Sequence, residues 1–205
     1  MSKNDIKQHW ESIYSEKLPQ EVSWFQVEPT VSLVLIQKVS HKNARVIDVG
    51  GGASLLVDCL LKLDYSNIAV LDISSKAIEY DKKRLLESAN KIEWIVDDVT
   101  HFKPSHPYDV WHDRAVFHFL VDKDARESYV KVLKNAMKSG GHVIIATFAK
   151  DGPKKCSSLD VVQYDVPSIQ HELGDEFILL DSQTETHITP KGNEQKFIYF
   201  VFKRK

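Results

Sequence analysis

Ala44-Arg-Val-Ile-Asp48-Val-Gly50-Gly51-Gly52-Ala-Ser54 runs a short β-branched strand into three glycines and then into a helical pattern that reaches about Lys62. A strand feeding a glycine loop that opens a helix sits at the ligand crevice of a doubly wound sheet, where glycines let the backbone approach a ligand closely. Outward from it the same rhythm repeats. Ile68–Ile73, Ile92–Val96, Tyr108–Asp113 and His142–Phe148 are near-continuous apolar runs of strand length, as a parallel sheet covered on both faces requires. Helical patterns lie between them over about Ser75–Ser88, with Ser74 or Ser75 as N-cap, and over Asp122–Met137, where Asp122 supplies a cap and Gly140-Gly141 a stop. Toward the C-terminus, a helix over about Val166–Leu173 precedes two long runs, Phe177–Ile188 and Gln195–Lys203, joined by a short Pro- and Gly-containing link, so they pair antiparallel. The fold expected is α/β: a Rossmann-like, doubly wound, seven-stranded sheet of five parallel strands plus a C-terminal antiparallel hairpin. Residues 1–205 read as one domain, with 1–40 a helical cap (helices at about Asn4–Glu16 and from near Pro29) and 41–205 the core.

Composition narrows the function. The chain has 205 residues with 42% hydrophobic and 27% charged, and a formal net charge of −2, which argues against a nucleic-acid-binding body. The two cysteines, Cys59 and Cys156, form no CxxC pair, so no thiolate metal site is expected. The first residues, Met1 to Lys7, lack an apolar signal core, and no apolar run reaches membrane-spanning length; a reducing, cytoplasmic setting is expected, with no membrane partner.

The acids define the ligand. Asp72 ends the second strand 22 residues after Gly50, where a ribose diol is gripped. With Asp48, Asp97 or Asp98, and Asp113, strand ends carry four carboxylates around one crevice, which suits a ligand bearing positive charge and hydroxyls. S-adenosylmethionine, with its sulfonium, ammonium, ribose and adenine amine, is such a molecule. A dinucleotide, and hence an NAD-dependent oxidoreductase, is the weaker alternative: its third glycine falls on Leu55, and Asp48 is poor company for a pyrophosphate. A further alternative is an inactive cofactor-binding scaffold.

On these motifs the chain resembles the class I S-adenosylmethionine-dependent methyltransferases from about Trp10 to Lys203, with Ser54 where that pattern carries a last glycine. The resemblance implies that Asp48, Gly50, Gly51 and Gly52 hold the methionine part of the cofactor and that Asp72 binds both ribose hydroxyls. It also places Ile73 beside the adenine and Asp97, Asp98 and Val99 at its edge, with S-adenosyl-L-homocysteine as product. Tyr108–Leu120 and Thr147–Pro153 look similar to thiopurine and tellurite-resistance methyltransferases. His9-Trp10, Tyr14 and Ser23-Trp24-Phe25 are closer in style to methyltransferase-like lysine methyltransferases, which carry Asp-Lys-Gly-Thr where this chain has Asp113-Arg-Ala-Val116. The acceptor expected is a small molecule or a protein side chain. Trp10, Tyr14, Trp24 and Phe25 are candidates to close over the cofactor, although packing on the sheet would also explain Trp10 and Tyr14. Near the transferring methyl, His112, Asp113, Arg114 and His118 are the catalytic candidates. His118 is the expected proton acceptor, Arg114 the contact for an anionic acceptor or the partner of a nearby acid.

Overall fold

Period-two alternation within the apolar runs builds a sheet with two buried faces. In the computed structural model, which describes residues 3–205, the strands are β1 (Arg45–Val49), β2 (Asn67–Asp72), β3 (Ile92–Val96), β4 (Tyr108–Arg114), β5 (Met137–Phe148), β8 (Phe177–Ile188) and β9 (Glu194–Arg204). They form one sheet in the order β3-β2-β1-β4-β5-β9-β8. The first five are mutually parallel, and β9 runs antiparallel to both β5 and β8. Met1 and Ser2, the start of the stretch inspected for a signal segment, lie outside the described residues.

Along β1, β2, β4 and β5 successive side chains enter different cores. Ile47, Leu71, Trp111 and Ile145 join Tyr129 and Leu133 of helix α5 (Lys123–Ala136) and Ile169 of α6 (Val166–Leu173). Val46, Val70, Val110 and Ile144 join Leu35 and Ile36 of α2 (Thr30–Val39), Leu56 and Leu60 of α3 (Leu56–Lys62) and Ile78 of α4 (Ser75–Leu85). The N-terminal helix α1 (Lys3–Glu16) packs on α4.

Several boundaries differ from the sequence reading. Helix α5 ends at Ala136, and Gly140-Gly141 do not stop it: Met137 is already extended, and the glycines lie in a bulge of β5 with Gly140 at φ 78°. Asp122 occupies the N-cap of α5 but makes no side-chain cap, whereas Ser74 caps α4 by accepting from Ala77 N. Pro29 is the N-cap of α2, which starts where the sequence reading put it. A small hairpin, β6 (Lys155–Cys156) with β7 (Leu159–Asp160), is an addition, and its turn residues Ser157 and Ser158 both hold positive φ.

Alternation also decides where the end of β4 points. His112 and Arg114 face the α2 side, and Asp113 faces α5, where the Tyr129 hydroxyl donates to it at 2.6 Å while accepting from Trp111 Nε1 at 2.8 Å. Removing that hydroxyl strands a buried indole N–H and takes a donor from a buried carboxylate. Tyr129→Phe is expected to cost about 1–3 kcal/mol, read as a lower urea midpoint with an unchanged m-value.

Candidate active site

The glycine loop is shaped by the carboxylate beneath it. Asp48 is 3% exposed, and its Oδ1 lies 2.7 Å from His112 Nδ1, which therefore donates. The other ring nitrogen of His112 bonds Ser32 Oγ of α2 at 2.9 Å. Gly50 turns the chain at φ 67°, and a Cβ there would collide with Val116 Cγ2. A Cβ on Gly51 would strike Asp48 Oδ2, and one on Gly52 would come within 2.6 Å of Ala77 Cβ. The backbone thus lies lower over β1 than any side chain permits, which leaves its upper face open as a cradle.

Asp72 closes the cradle at the next strand. Its Oδ2 accepts from Gly52 N at 3.0 Å and its Oδ1 from Ser74 N at 2.8 Å, so the acid is oriented by the loop it faces. Burial pushes its pKa up to about 6, with the Asp48 and Glu11 charges adding to that and the two amide bonds opposing it. Gly50, Asp72, Ile73, Asp97, Asp98 and Val99 all line one cavity of about 630 Å³. Asp98 Oδ1 accepts from Thr100 N and Oγ1, which shapes the turn after β3; Asp97 is exposed. An acid at a ribose position, an apolar residue beside it and further acids at the edge fit a nucleoside with a positively charged tail.

The far end of this cavity is aromatic. Trp10 of α1 meets Trp24 and Phe119 edge-on, at centroid distances of 5.6 and 5.1 Å, and all three line the cavity with Tyr14, Arg114 and Cys156. Trp10 and Tyr14 therefore border the ligand space and are not merely packed on the sheet. Phe25 lies beside a smaller recess over the glycine loop.

Helix α1 is held over the cavity by Glu11, a residue the sequence reading did not single out. Its carboxylate accepts from Ser75 N (2.8 Å) and Oγ (2.9 Å), Ser74 Oγ (3.0 Å) and Lys76 N (3.2 Å), capping α4 from outside that helix. Burial disfavours its charge, but the donors from Ser75, Lys76 and Ser74 outweigh this and hold the carboxyl below its usual range. His9 Nε2 further touches Ser157 Oγ at the turn of the small hairpin, 3.2 Å away.

The four catalytic candidates separate. Asp113 does not join the ring of acids: it is fully buried on the α5 face, taking bonds from Val116 N, Phe117 N and Tyr129. Burial raises its pKa to about 6 against those donors. His118 is no proton acceptor for a substrate. It is 0% exposed, packs on Phe119 and Phe148, and its Nδ1 lone pair already accepts the Phe148 backbone N–H. Burial, with the Arg114 charge adding, lowers its pKa to about 3. His112 orients Asp48. Only Arg114 reaches the large cavity, and its acid partner is Glu185 of β8, 3.7 Å away, rather than Asp113. Glu185 and Tyr199, which bind Arg114, and Gln26, which donates to Glu185, escaped the sequence reading because these pairings span 71 to 159 positions.

Crevice, cradle and cavity together define a Rossmann-like protein with a ligand site at its strand ends. A family model described as a methyltransferase domain matches residues 40–199, so the chain belongs to the class I S-adenosylmethionine-dependent methyltransferases, whose cofactor is S-adenosyl-L-methionine. The chain is 28% identical over 151 residues to malonyl-[acyl-carrier protein] O-methyltransferase 1 of Ilyobacter polytropus, a match covering 71% of this chain and 52% of that protein. It is 25% identical to EEF1A lysine methyltransferase 2 of Danio rerio, over 71% of this chain and 70% of that one. The chain thus spans about half the length of the first of these relatives. In structure it is similar to the 1,6-didemethyltoxoflavin-N1-methyltransferase of Burkholderia thailandensis with bound S-adenosylhomocysteine, with a TM-score of 0.74 and 15% identity over 100% of this chain and 91% of that one. Among the described residues no helix is long and apolar enough to cross a membrane.

The raised Asp72 pKa has a stability signature. Between the ordinary value of 3.8 and about 6 the native chain holds the extra proton, so stability falls as pH rises through that window, by up to about 3 kcal/mol for this group. Asp72→Asn is expected to flatten the unfolding free energy over pH 4–6 by that share, measured by urea titration at stepped pH.

Proposed function

We propose that the chain transfers the methyl group of S-adenosyl-L-methionine to an acceptor entering the aromatic end of the 630 Å³ cavity. The observation that carries this reading is that one cavity joins Gly50 and Asp72 to Trp10, Trp24, Phe119 and Arg114. When bound, the cofactor supplies a methyl group activated by a sulfonium. Asp48, Gly50, Gly51 and Gly52 hold its methionine part, Asp72 its ribose hydroxyls, and Ile73, Asp97, Asp98 and Val99 its adenine, with Trp24 closing over it. The chain's own work is then alignment and exclusion of water, which alone supply a large share of the barrier reduction in a bimolecular displacement. No proton transfer to His118 enters, since its free lone pair is spent on Phe148. The acceptor is a small molecule or a protein side chain, and the setting a reducing, cytoplasmic one that suits the free thiols of Cys59 and Cys156.

Titration calorimetry tests the assignment. S-adenosylmethionine and S-adenosylhomocysteine are expected to bind and NAD not to; tighter binding of NAD would sink it. Asp72→Ala is expected to cost about 1.5–3 kcal/mol of cofactor affinity through lost charged hydrogen bonds. Because Trp24 lines the cavity, the cofactor-dependent change in tryptophan fluorescence should shrink in Trp24→Phe. An unchanged signal in that variant would remove Trp24 from the site.

A further inference from the structure

Helix α1 lies along the cavity and is tied down on both flanks. Ile6, Trp10 and Tyr14, spaced four apart on one face, line the cavity. The two neighbours of Trp10 point a quarter-turn to either side of that face. Glu11 reaches the N-terminus of α4 with four bonds, and His9 meets Ser157 Oγ of the small hairpin with one, at 3.2 Å. The firm anchor of this strap is therefore Glu11.

Glu11 lands on the same turn that carries Asp72. Asp72 Oδ1 accepts from Ser74 N at 2.8 Å, and the hydroxyl of that Ser74 donates to Glu11 Oε2 at 3.0 Å. The next residue, Ser75, gives Glu11 both its N–H and its hydroxyl. Between Asp72 and Ser74 stands Ile73, which lines the cavity. A ligand that fixes the Asp72 carboxylate therefore also fixes the donors offered to Glu11. Charge acts in the same direction: burial, then the charges of Asp48 and Glu11, push the Asp72 pKa up, and a ligand bringing positive charge into the cavity relieves the repulsion among these acids. The contact is also built to open. Ser74 Oγ accepts from Ala77 N, so α4 keeps a cap of its own without Glu11. Ser75 is half-buried and Lys76 exposed, so water can take the place of the carboxylate at their N–H groups. Bonds exchanged with water in this way hold a strap without making the fold depend on it.

Resting on the methyl-transfer reading above, we propose that Glu11 is a positioning residue that couples closure of α1 over the cavity to the hold on the cofactor ribose at Asp72. Docked, Glu11 keeps Trp10 and Tyr14 against the ligand space and slows escape from it. Undocked, α1 lifts from that flank while the Ser74 cap and the glycine loop stay as they are. The coupling is reciprocal: a ligand held at Asp72 strengthens docking of the strap by as much as docking strengthens the hold on the ligand.

The test uses the full chain with S-adenosylhomocysteine as ligand, and reads binding rather than turnover. Calorimetry first measures the affinity of each protein. Hydrogen exchange is then followed across residues 9–16 with and without ligand, and release is timed by chasing tritiated S-adenosylhomocysteine with the unlabelled compound. In the wild type, exchange across this stretch is expected to slow when the ligand binds. Glu11→Gln, which keeps the size but loses the charge and one acceptor oxygen, is expected to lose that added protection. It should also release the ligand about tenfold faster, with the association rate held within about threefold. Ser75→Ala, which removes a donor from the other side of the contact, is expected to move both readouts the same way by about two- to threefold, and decides the matter if Glu11→Gln does not fold. A purely structural role for Glu11 would lower the urea midpoint and leave the release rate of the folded protein unchanged. That result, or exchange across α1 that ignores the ligand in the wild type, overturns the proposal. If the wild type binds neither S-adenosylmethionine nor S-adenosylhomocysteine, the methyl-transfer reading falls and this one with it; binding without any change in α1 removes this one alone.

Discussion

The Asp48 carboxylate sets the height of the glycine loop, and the site is built upward from it. Strand pairing brings Asp48 beside His112, whose imidazole fixes one oxygen and reaches on to Ser32 of α2. The other oxygen lies where a Cβ on Gly51 would sit. A buried acid needs a donor, and here the His112 imidazole, bonded in turn to Ser32, ties two strands and a helix together beneath the loop. From the loop the bonding runs outward through Gly52 to Asp72. It also runs through Ala53 to Asp81, which pairs with Arg84, itself bound to Asp58 of α3. The cradle is therefore rigid before any ligand enters.

Around that cradle the polarity changes along the cavity. Its wall carries Asp72, Asp97, Asp98, Asp122 and Asp124 together with the rings of Trp10, Trp24 and Phe119 and with Arg114, whose guanidinium pairs with Glu185. The two relatives named above act, by their names, on quite different acceptors, and the cofactor end alone would not distinguish them.

Much of this was legible in the residues. The strand runs, the glycine triplet and Asp72 are local signals, each readable in a window of a few residues, and they placed the sheet and the crevice at its strand ends. What escaped was set by direction or by distance. Asp113 sits in a strand end as expected, yet one residue of alternation turns its side chain to Tyr129 and away from the crevice. His118, next in the following turn, is drawn into the core between Phe119 and Phe148, and a single imidazole gives no sign of its burial. Gly140-Gly141 read as a stop because glycine serves both helix ends and bulges. Glu11 with Ser75, and Arg114 with Glu185, pair across 64 and 71 positions, where no local pattern reaches.

Those long pairings place both extremes of the chain at one mouth. Glu11, Trp24 and Gln26 come from its first residues, and Glu185, His187, Gln195 and Tyr199 from its last, with His187 bonded to the Ser23 carbonyl and Gln195 to its hydroxyl. Strands β1 and β2, which carry the glycine loop and Asp72, precede the β8–β9 hairpin by about a hundred residues, so the early segment can pair with that hairpin only after it is made. Contacts of such sequence separation form late and slowly. The wall that Glu185, His187 and Tyr199 form beside Trp24 and Gln26 is therefore among the last parts of the fold to close.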